Sequence, residues 1–337
     1  MKIAIDAMGG DYAPRVVVQG AAEAADSYNL DILLVGDSNL IEREIRKIKN
    51  YPKDRIKIIH TEEVIDMNDS PTVSVRKKKN SSISLAINLI KSREADAFVS
   101  AGNTGAVVCA ATLYLGLLSG IERPGIAILF PTLKGISLVV DVGANIDPKP
   151  LHLLQYAIMA DAYYRYVLDY KQRPTVGLLN VGEEATKGTD FVKETHQLLF
   201  QSSLKFVGNV EGKEIFSGNC NIIVCDGYVG NVALKVTESV AEMLDELLRR
   251  AILKGFLGKL GTLLLMRNLK RFKKELDYSE HGGAPLLGVN GVVIIAHGRS
   301  SSKAIKNAIR AAKTEVERKV NEKIVDMITV TKESVTP

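Results

Sequence analysis

Apolar, β-branched runs alternate with segments of helical period along most of the chain. Strands are expected at 2–6, 32–36, 55–59, 96–100, 125–130, 136–142, 174–180, 204–208, 221–225 and 291–296. Helices fit 13–28, 38–49, 81–93, 104–118, 149–168, 189–201, 229–253 and 301–328. Such alternation predicts an α/β fold, a mainly parallel sheet covered by helices on both faces. Pro14, and Ser81 or Ser82 before Ile83, are helix-start signals. Thr104 is the expected cap of a helix that opens from the Gly102 loop. No Gly/Ser linker, repeat or low-complexity segment interrupts the pattern, so one domain is expected over 1–337, with an elaboration at 240–285.

Five of the apolar runs end in polar, glycine-bearing loops. These are Asp6 to Asp11 with Gly9 and Gly10, Ser100-Ala101-Gly102-Asn103-Thr104-Gly105, Asp141-Val142-Gly143-Ala144-Asn145, Asn180-Val181-Gly182 and Asp226-Gly227-Tyr228-Val229-Gly230-Asn231. In a parallel sheet, loops after successive strands gather at one edge, where open α/β folds bind ligands, so a single polar crevice is expected. Glycines at 102, 105, 143, 182, 227 and 230 let backbone N–H groups approach a ligand, and helix amino termini beside them suit a phosphate. Any one such loop is more often an ordinary strand-to-helix turn; five together are harder to dismiss. Lys187, beside Gly188, either holds a phosphate, polarises a developing oxyanion or is a solvated helix-start lysine. Asn231 either donates its amide to a reacting carbonyl or caps the neighbouring helix.

Composition narrows the classes. A chain of 337 residues, 46% hydrophobic, has ample material for a large core. Three cysteines, Cys109, Cys220 and Cys225, sit in or beside apolar runs and are expected as reduced, buried thiols, which points to the cytoplasm. No signal peptide is expected at the amino terminus, and no uncharged apolar stretch reaches the roughly 20 residues of a spanning helix. The formal charge of +5 is local in origin: nine basic residues and no acidic one lie between Arg249 and Lys274, which leaves −4 for the rest. An anionic partner at one place is expected, rather than general nucleic-acid affinity. Nucleotide and hydrolase patterns fail: no Walker loop, no G-x-G-x-x-G after a strand, no G-x-S-x-G, no HExxH, and five scattered histidines. Neither a metal nor a cofactor is expected.

Taken in order, the five loops, together with Arg76-Lys77-Lys78-Lys79-Asn80-Ser81-Ser82 and Lys187-Gly188, resemble the bacterial phosphate acyltransferases of phospholipid synthesis, the PlsX family. The likeness runs from Met1 to about residue 328, with Tyr278-Ser279, Gly282-Gly283-Ala284 and His297-Gly298 extending it. It implies transfer of a long-chain acyl group from acyl carrier protein to inorganic phosphate, and an acyl phosphate for a downstream glycerol-3-phosphate acyltransferase. A three-layer α/β/α fold similar to the isocitrate and isopropylmalate dehydrogenases, a homodimer, and chemistry carried by Lys187 and Asn231 are implied as well. Tyr12 stands where members often have histidine, and His281 where they often have an aromatic residue, so no histidine is given a catalytic role. On this reading Asp6, Gly9, Gly10, Asp11, Ser100, Gly102, Asn103, Thr104, Gly105, Asp141, Gly143, Asn145, Asn180, Gly182, Asp226, Gly227 and Gly230 line the substrate and phosphate site.

Arg76, Lys77, Lys78 and Lys79 are either a solvated basic turn or a docking face for the acidic carrier. Leu253, Phe256, Leu257, Leu260, Leu263 and Leu264 recur at helical spacing beside the nine cations, which suits a dimer interface or peripheral contact with an anionic membrane. Two other classes are weighed. A metal- and NAD-dependent decarboxylating dehydrogenase should carry a helix-borne aspartate cluster, which the sequence lacks. A basic nucleic-acid-binding module could use the GXXG spacing of 102–105 or 227–230, but aromatic residues are only 6% and tryptophan is absent, leaving little to stack on bases.

Overall fold

The computed structural model describes residues 1–49, 51–252, 265–268 and 282–335. Eleven strands form one hydrogen-bonded sheet: β1 (Lys2–Asp6), β2 (Asp31–Gly36), β3 (Ile56–His60), β4 (Ala97–Ser100), β5 (Gly125–Thr132), β6 (Gly135–Val140), β7 (Thr175–Leu179), β8 (Lys205–Val210), β9 (Ile222–Val224), β10 (Ala284–Leu287) and β11 (Val292–Ile295). Their order across the sheet is 3-2-1-4-11-10-5-6-9-7-8. Helices between them are α1 (Arg15–Tyr28), α2 (Ser38–Ile45), α3 (Pro71–Lys77), α4 (Ser82–Lys91), α5 (Thr104–Tyr114), α6 (Pro150–Ala162), α7 (Asp190–Gln201), α8 (Glu214–Ser217), α9 (Gly227–Ile252), α10 (Ser302–Glu317) and α11 (Val320–Val335).

Strand alternation decides which helices cover which face. In β1, Ile3 and Ile5 point to one face and Ala4 to the other. One buried layer, including Ala4, Phe98, Val139 and Ile223, runs under both halves of the sheet and receives Ala233 and Leu234 of α9. The opposite face carries two cores, one with Ile305 and Ile309 of α10 against α1, the other with α6 and Ile324 and Ile328 of α11. Helices on both faces make this the expected α/β sandwich.

Seven neighbouring strand pairs are parallel, but β10 pairs antiparallel with both β11 and β5, and β5 with β6. These three reversals invert the second half. The strands β1 to β4 and β11 run one way and β6 to β9 the other, so the loops after β1 and β4 leave one edge and those after β6, β7 and β9 leave the opposite edge. The expectation of a single crevice is therefore corrected to two loop clusters. Helix α9 joins them: it starts at the second cluster, and farther along Glu242 pairs with Arg299 at 3.0 Å, and Glu238 with His297 at 3.7 Å, in the loop after β11.

Smaller departures have local causes. The expected helix at 301–328 is two helices, broken where Arg318 closes α10 and Lys319 takes a positive φ of 52°. At α5 the cap is Asn103, whose Oδ1 accepts the Ala106 N–H at 3.0 Å, so Thr104 is the first helical residue instead. The elaboration at 240–285 falls largely on residues outside those described; 265–268 are helical.

Candidate active site

At the first edge the polar side chains are spent on the loops themselves. Asp6 is buried, accepting from Ser100 Oγ at 2.7 Å and from the Met8 N–H at 3.2 Å. Burial pushes its carboxyl up, opposed by these bonds and by Ser82. Ser100 Oγ also accepts the Gly102 N–H, while Asn103 Nδ2 donates to the carbonyls of Asp66, Met67 and Asp69. The Asp11 N–H donates to the Gly298 carbonyl, which ties the Gly9-Gly10 turn to the loop after β11. Thr104 is exposed at the start of α5. On α3 and the turn after it, Arg76, Lys77 and Lys79 are exposed, but Lys78 donates to Asp69 Oδ2 and to the Val64 carbonyl, both at 2.7 Å. Lys78 thus fastens a loop, whereas Arg76, Lys77 and Lys79 have no acidic partner among the described residues.

At the second edge β6, β9 and β7 lie side by side, so the loops at 141–145, 226–231 and 180–188 emerge together. Asp141 is the organiser. Its Oδ1 accepts the N–H groups of Ile126, Gly143 and Ala144, and its Oδ2 that of Asn145. Burial pushes this carboxyl up, while four backbone donors pull the other way. Asn145 Nδ2 donates to the Pro124 carbonyl at 2.6 Å and to the Tyr156 hydroxyl at 2.8 Å, which anchors the loop on α6. Both Asp141 and Asn145 are thereby occupied in shaping the loop. Gly230 allows α9 to start here, since a Cβ on it would overlap the Asp141 carbonyl oxygen.

Asp226 Oδ1 accepts the Val229 N–H at 2.9 Å and so caps α9. Asn231 lies beyond this cap, in the second turn, which removes the capping alternative for its side chain. Its amide packs beside Gly143 and, among the described residues, has no hydrogen-bond partner. Lys187 is exposed, and among the described residues no carboxylate pairs with its ammonium. Its loop is held by its backbone: Asn180 Nδ2 donates to the Lys187 carbonyl at 3.1 Å, and the Lys187 N–H donates to the Glu184 carbonyl at 3.1 Å. Gly188 at φ +90° turns the chain away into α7, and Gly182 is buried under the Lys187 stem.

One residue of this edge escapes sequence reasoning. Asn209, on β8, is 5% exposed and donates from Nδ2 to the Glu184 carbonyl at 2.9 Å. The signal for it was present, an asparagine beside a glycine inside a strand run, the mark of a bulge. Neither buried thiol nearby is a candidate nucleophile: burial pushes Cys220 up to about 11 and Cys225 up as well, so neither carries thiolate at neutral pH. The apolar stripe residues Leu253, Phe256, Leu257, Leu260, Leu263 and Leu264, with Tyr278, Ser279 and His281, lie outside the described residues. Among the described residues, no helix is long and apolar enough to cross a membrane.

The chain resembles known proteins along nearly its whole length. The family described as "Fatty acid synthesis protein" matches residues 1–323. A phosphate acyltransferase of Alkaliphilus oremlandii is 50% identical over 324 residues, 96% of each chain, and one of Dictyoglomus turgidum is 50% identical over 331 residues, 97% of each. Among solved structures, a phosphotransacetylase from Streptococcus pyogenes superimposes with a TM-score of 0.62 at 20% identity, covering 93% of this chain and 94% of that one. A 4-hydroxythreonine-4-phosphate dehydrogenase from Klebsiella pneumoniae superimposes with a TM-score of 0.54 at 14% identity, covering 94% and 99%. The last two likenesses establish a shared fold.

Proposed function

The chain belongs to the fatty acid synthesis protein family and is a phosphate acyltransferase; from that premise we propose that it moves a long-chain acyl group from acyl carrier protein to inorganic phosphate. The reaction is a direct displacement. A phosphate oxygen attacks the thioester carbonyl, the carbonyl oxygen becomes an oxyanion, and the C–S bond then breaks. Acyl phosphate leaves, and the proton of hydrogen phosphate ends on the carrier thiol. A thioester is already activated, so the protein has to bring two anions together and stabilise the oxyanion rather than supply a nucleophile.

The observation that carries this reading is the contrast at the second edge. Asp141, Asn145, Asn180 and Asp226 are committed to shaping their loops, while the side chains of Lys187 and Asn231 have no partner among the described residues. The Lys187 ammonium supplies charge for phosphate or the oxyanion, and the Asn231 amide supplies a neutral donor. Gly143 and Gly182 keep the backbone close to both. The first edge, with Thr104, Gly102, Gly105 and the turn at Gly9, Gly10 and Asp11, borders the exposed cations Arg76, Lys77 and Lys79, and we assign it to the carrier protein. A second copy of the chain is the partner for the exposed face of α9, and the product passes to a glycerol-3-phosphate acyltransferase. The segment from Arg249 to Lys274 is assigned to peripheral contact with an anionic membrane from the cytoplasmic side.

The test is release of free carrier protein from acyl carrier protein. Release should require phosphate and proceed without nicotinamide nucleotide. Lys187→Ala and Asn231→Ala should each lower kcat/KM by roughly a hundredfold or more with the fold retained. Phosphate-independent hydrolysis, or a requirement for NAD, would overturn the reaction; normal turnover in both variants would return Lys187 and Asn231 to the protein surface.

A further inference from the structure

Strand β8 breaks its pairing with β7 just before it reaches the second edge. Val176 pairs with Phe206, but Leu178 pairs with Asn209, so β8 has one residue more than β7 over this stretch. Gly208, at φ +95°, takes up the extra residue. A bulge of this kind re-aims the side chains after it. Without it, the alternation of β8 would bury every second residue; with it, Asn209 and Val210 are buried in succession. Val210 goes to the core, and Asn209 turns inward as a polar group with no sheet role.

The inward amide is joined to the loop that bears Lys187. Asn209 Nδ2 donates to the Glu184 carbonyl across 25 residues of sequence, and the same carbonyl accepts the Lys187 N–H. One carbonyl therefore links the amide of a rigid strand to the backbone of the free cation. Asn209 Oδ1 is buried with no hydrogen-bond partner among the described residues. Burying an amide with half its hydrogen-bonding capacity unused is unfavourable, and an apolar residue of similar size would avoid that penalty. The arrangement is thus poor as core packing and good as a clamp.

We propose that Asn209 is a positioning residue for Lys187, holding the 183–187 turn through the Glu184 carbonyl so that the ammonium meets the reacting phosphate or oxyanion. This rests on the reading of Lys187 given above. A cation on an exposed loop samples many positions, and misplacement by about an ångström costs a large part of an orientation effect. Asn180 fixes the loop at Lys187 itself and Asn209 fixes it three residues earlier, so together they define the turn.

A double-mutant cycle tests this. Asn209→Ala should lower kcat about tenfold or more while KM for the acyl carrier substrate changes little, since the clamp acts on transition-state geometry. Asn209→Ser, which keeps a small polar group but is too short to span to Glu184, should behave alike and covers the case in which the alanine variant folds poorly. The combination Lys187→Ala with Asn209→Ala should be no slower than Lys187→Ala alone to within about twofold, because a clamp has no value once its cation is gone. A readout apart from activity is amide hydrogen exchange, which should quicken at Lys187 and its turn in the Asn209 variants and stay unchanged in β1 and β4. Additive losses in the cycle, or unchanged exchange of the turn, would overturn the proposal while leaving Lys187 catalytic. Normal turnover of Lys187→Ala would overturn the catalytic reading itself, and the positioning role with it.

Discussion

Glu315 carries a carboxyl into the core beside Tyr163, and nothing in the proposed reaction uses it. It is 2% exposed, Tyr163 hydrogen-bonds one oxygen, and the other, Oε1, has no partner among the described residues. Burial pushes the acid up to about 8, from an ordinary value of 4.5. Between these two values the folded protein keeps a proton that the unfolded chain has lost. Stability therefore falls as pH rises from about 4.5 toward 8, by up to about 1.4 kcal/mol per unit, and levels off above that window. Glu315→Gln keeps the shape and removes the titration, so its stability should fall less over the same range. Denaturant unfolding of both proteins between pH 5 and 9 checks this, and curves that stay parallel would show that Glu315 is ionised in the fold. Its contrast with Asp141 is instructive: there, four backbone N–H groups surround a buried carboxylate, whereas Glu315 has one hydroxyl.

At the scale of elements, α9 is the outlier. It presents Val229, Val232, Val236, Val240, Met243 and Leu247 at three- and four-residue spacing, each 41–56% exposed. On the reading proposed above, a stripe of this extent is covered by a second copy of the helix, which would repeat its spacing. Val236→Glu with Met243→Glu should halve the mass measured by light scattering, whereas a monomeric parent would remove the dimer altogether. Beyond α9, Leu257→Glu with Leu260→Glu should abolish sedimentation with anionic vesicles and leave soluble activity and mass unchanged. Loss of mass instead would assign that stretch to the interface. Strands and helices with strong periodicity, such as β1, β2 and α1, were legible in the sequence. The short β10, with Pro285 in it, was not, and its two antiparallel pairings together with the β5–β6 hairpin make the odd number of reversals that leaves half the sheet inverted. Composition and alternation report which residues form strands, whereas direction depends on partners remote in sequence. For the same reason the glycine loops could be identified one by one, but their division between two edges could not. Asn180, Lys187 and Asn231 stood out by type and position; Asn209 needed the bulge to be seen.

The whole molecule has a charge plan that matches two edges rather than one crevice. Subtracting the nine cations of 249–274 from +5 leaves −4 on the remainder, so Arg76, Lys77 and Lys79 are local positive charges on an otherwise acidic body. Such a patch steers an acidic macromolecule to one face and repels it from the rest, and its effect falls chiefly on the rate of encounter. Lys78, held by Asp69 and the Val64 carbonyl, is left out of this field and serves the turn that presents it. Reversing Arg76, Lys77 and Lys79 to Glu should therefore lower kcat/KM for acyl carrier protein about tenfold at low salt, with kcat nearly unchanged. The deficit should shrink as ionic strength rises and the Debye length shortens to roughly 10 Å at 0.1 M. A small acyl thioester with no carrier attached gives the control, since it has no extended charge to be steered and should be turned over equally by both proteins. Equal loss with both donors would mean that the three cations support the fold or the chemistry, and the carrier would then have to approach from the opposite edge, beside Lys187 and Asn231.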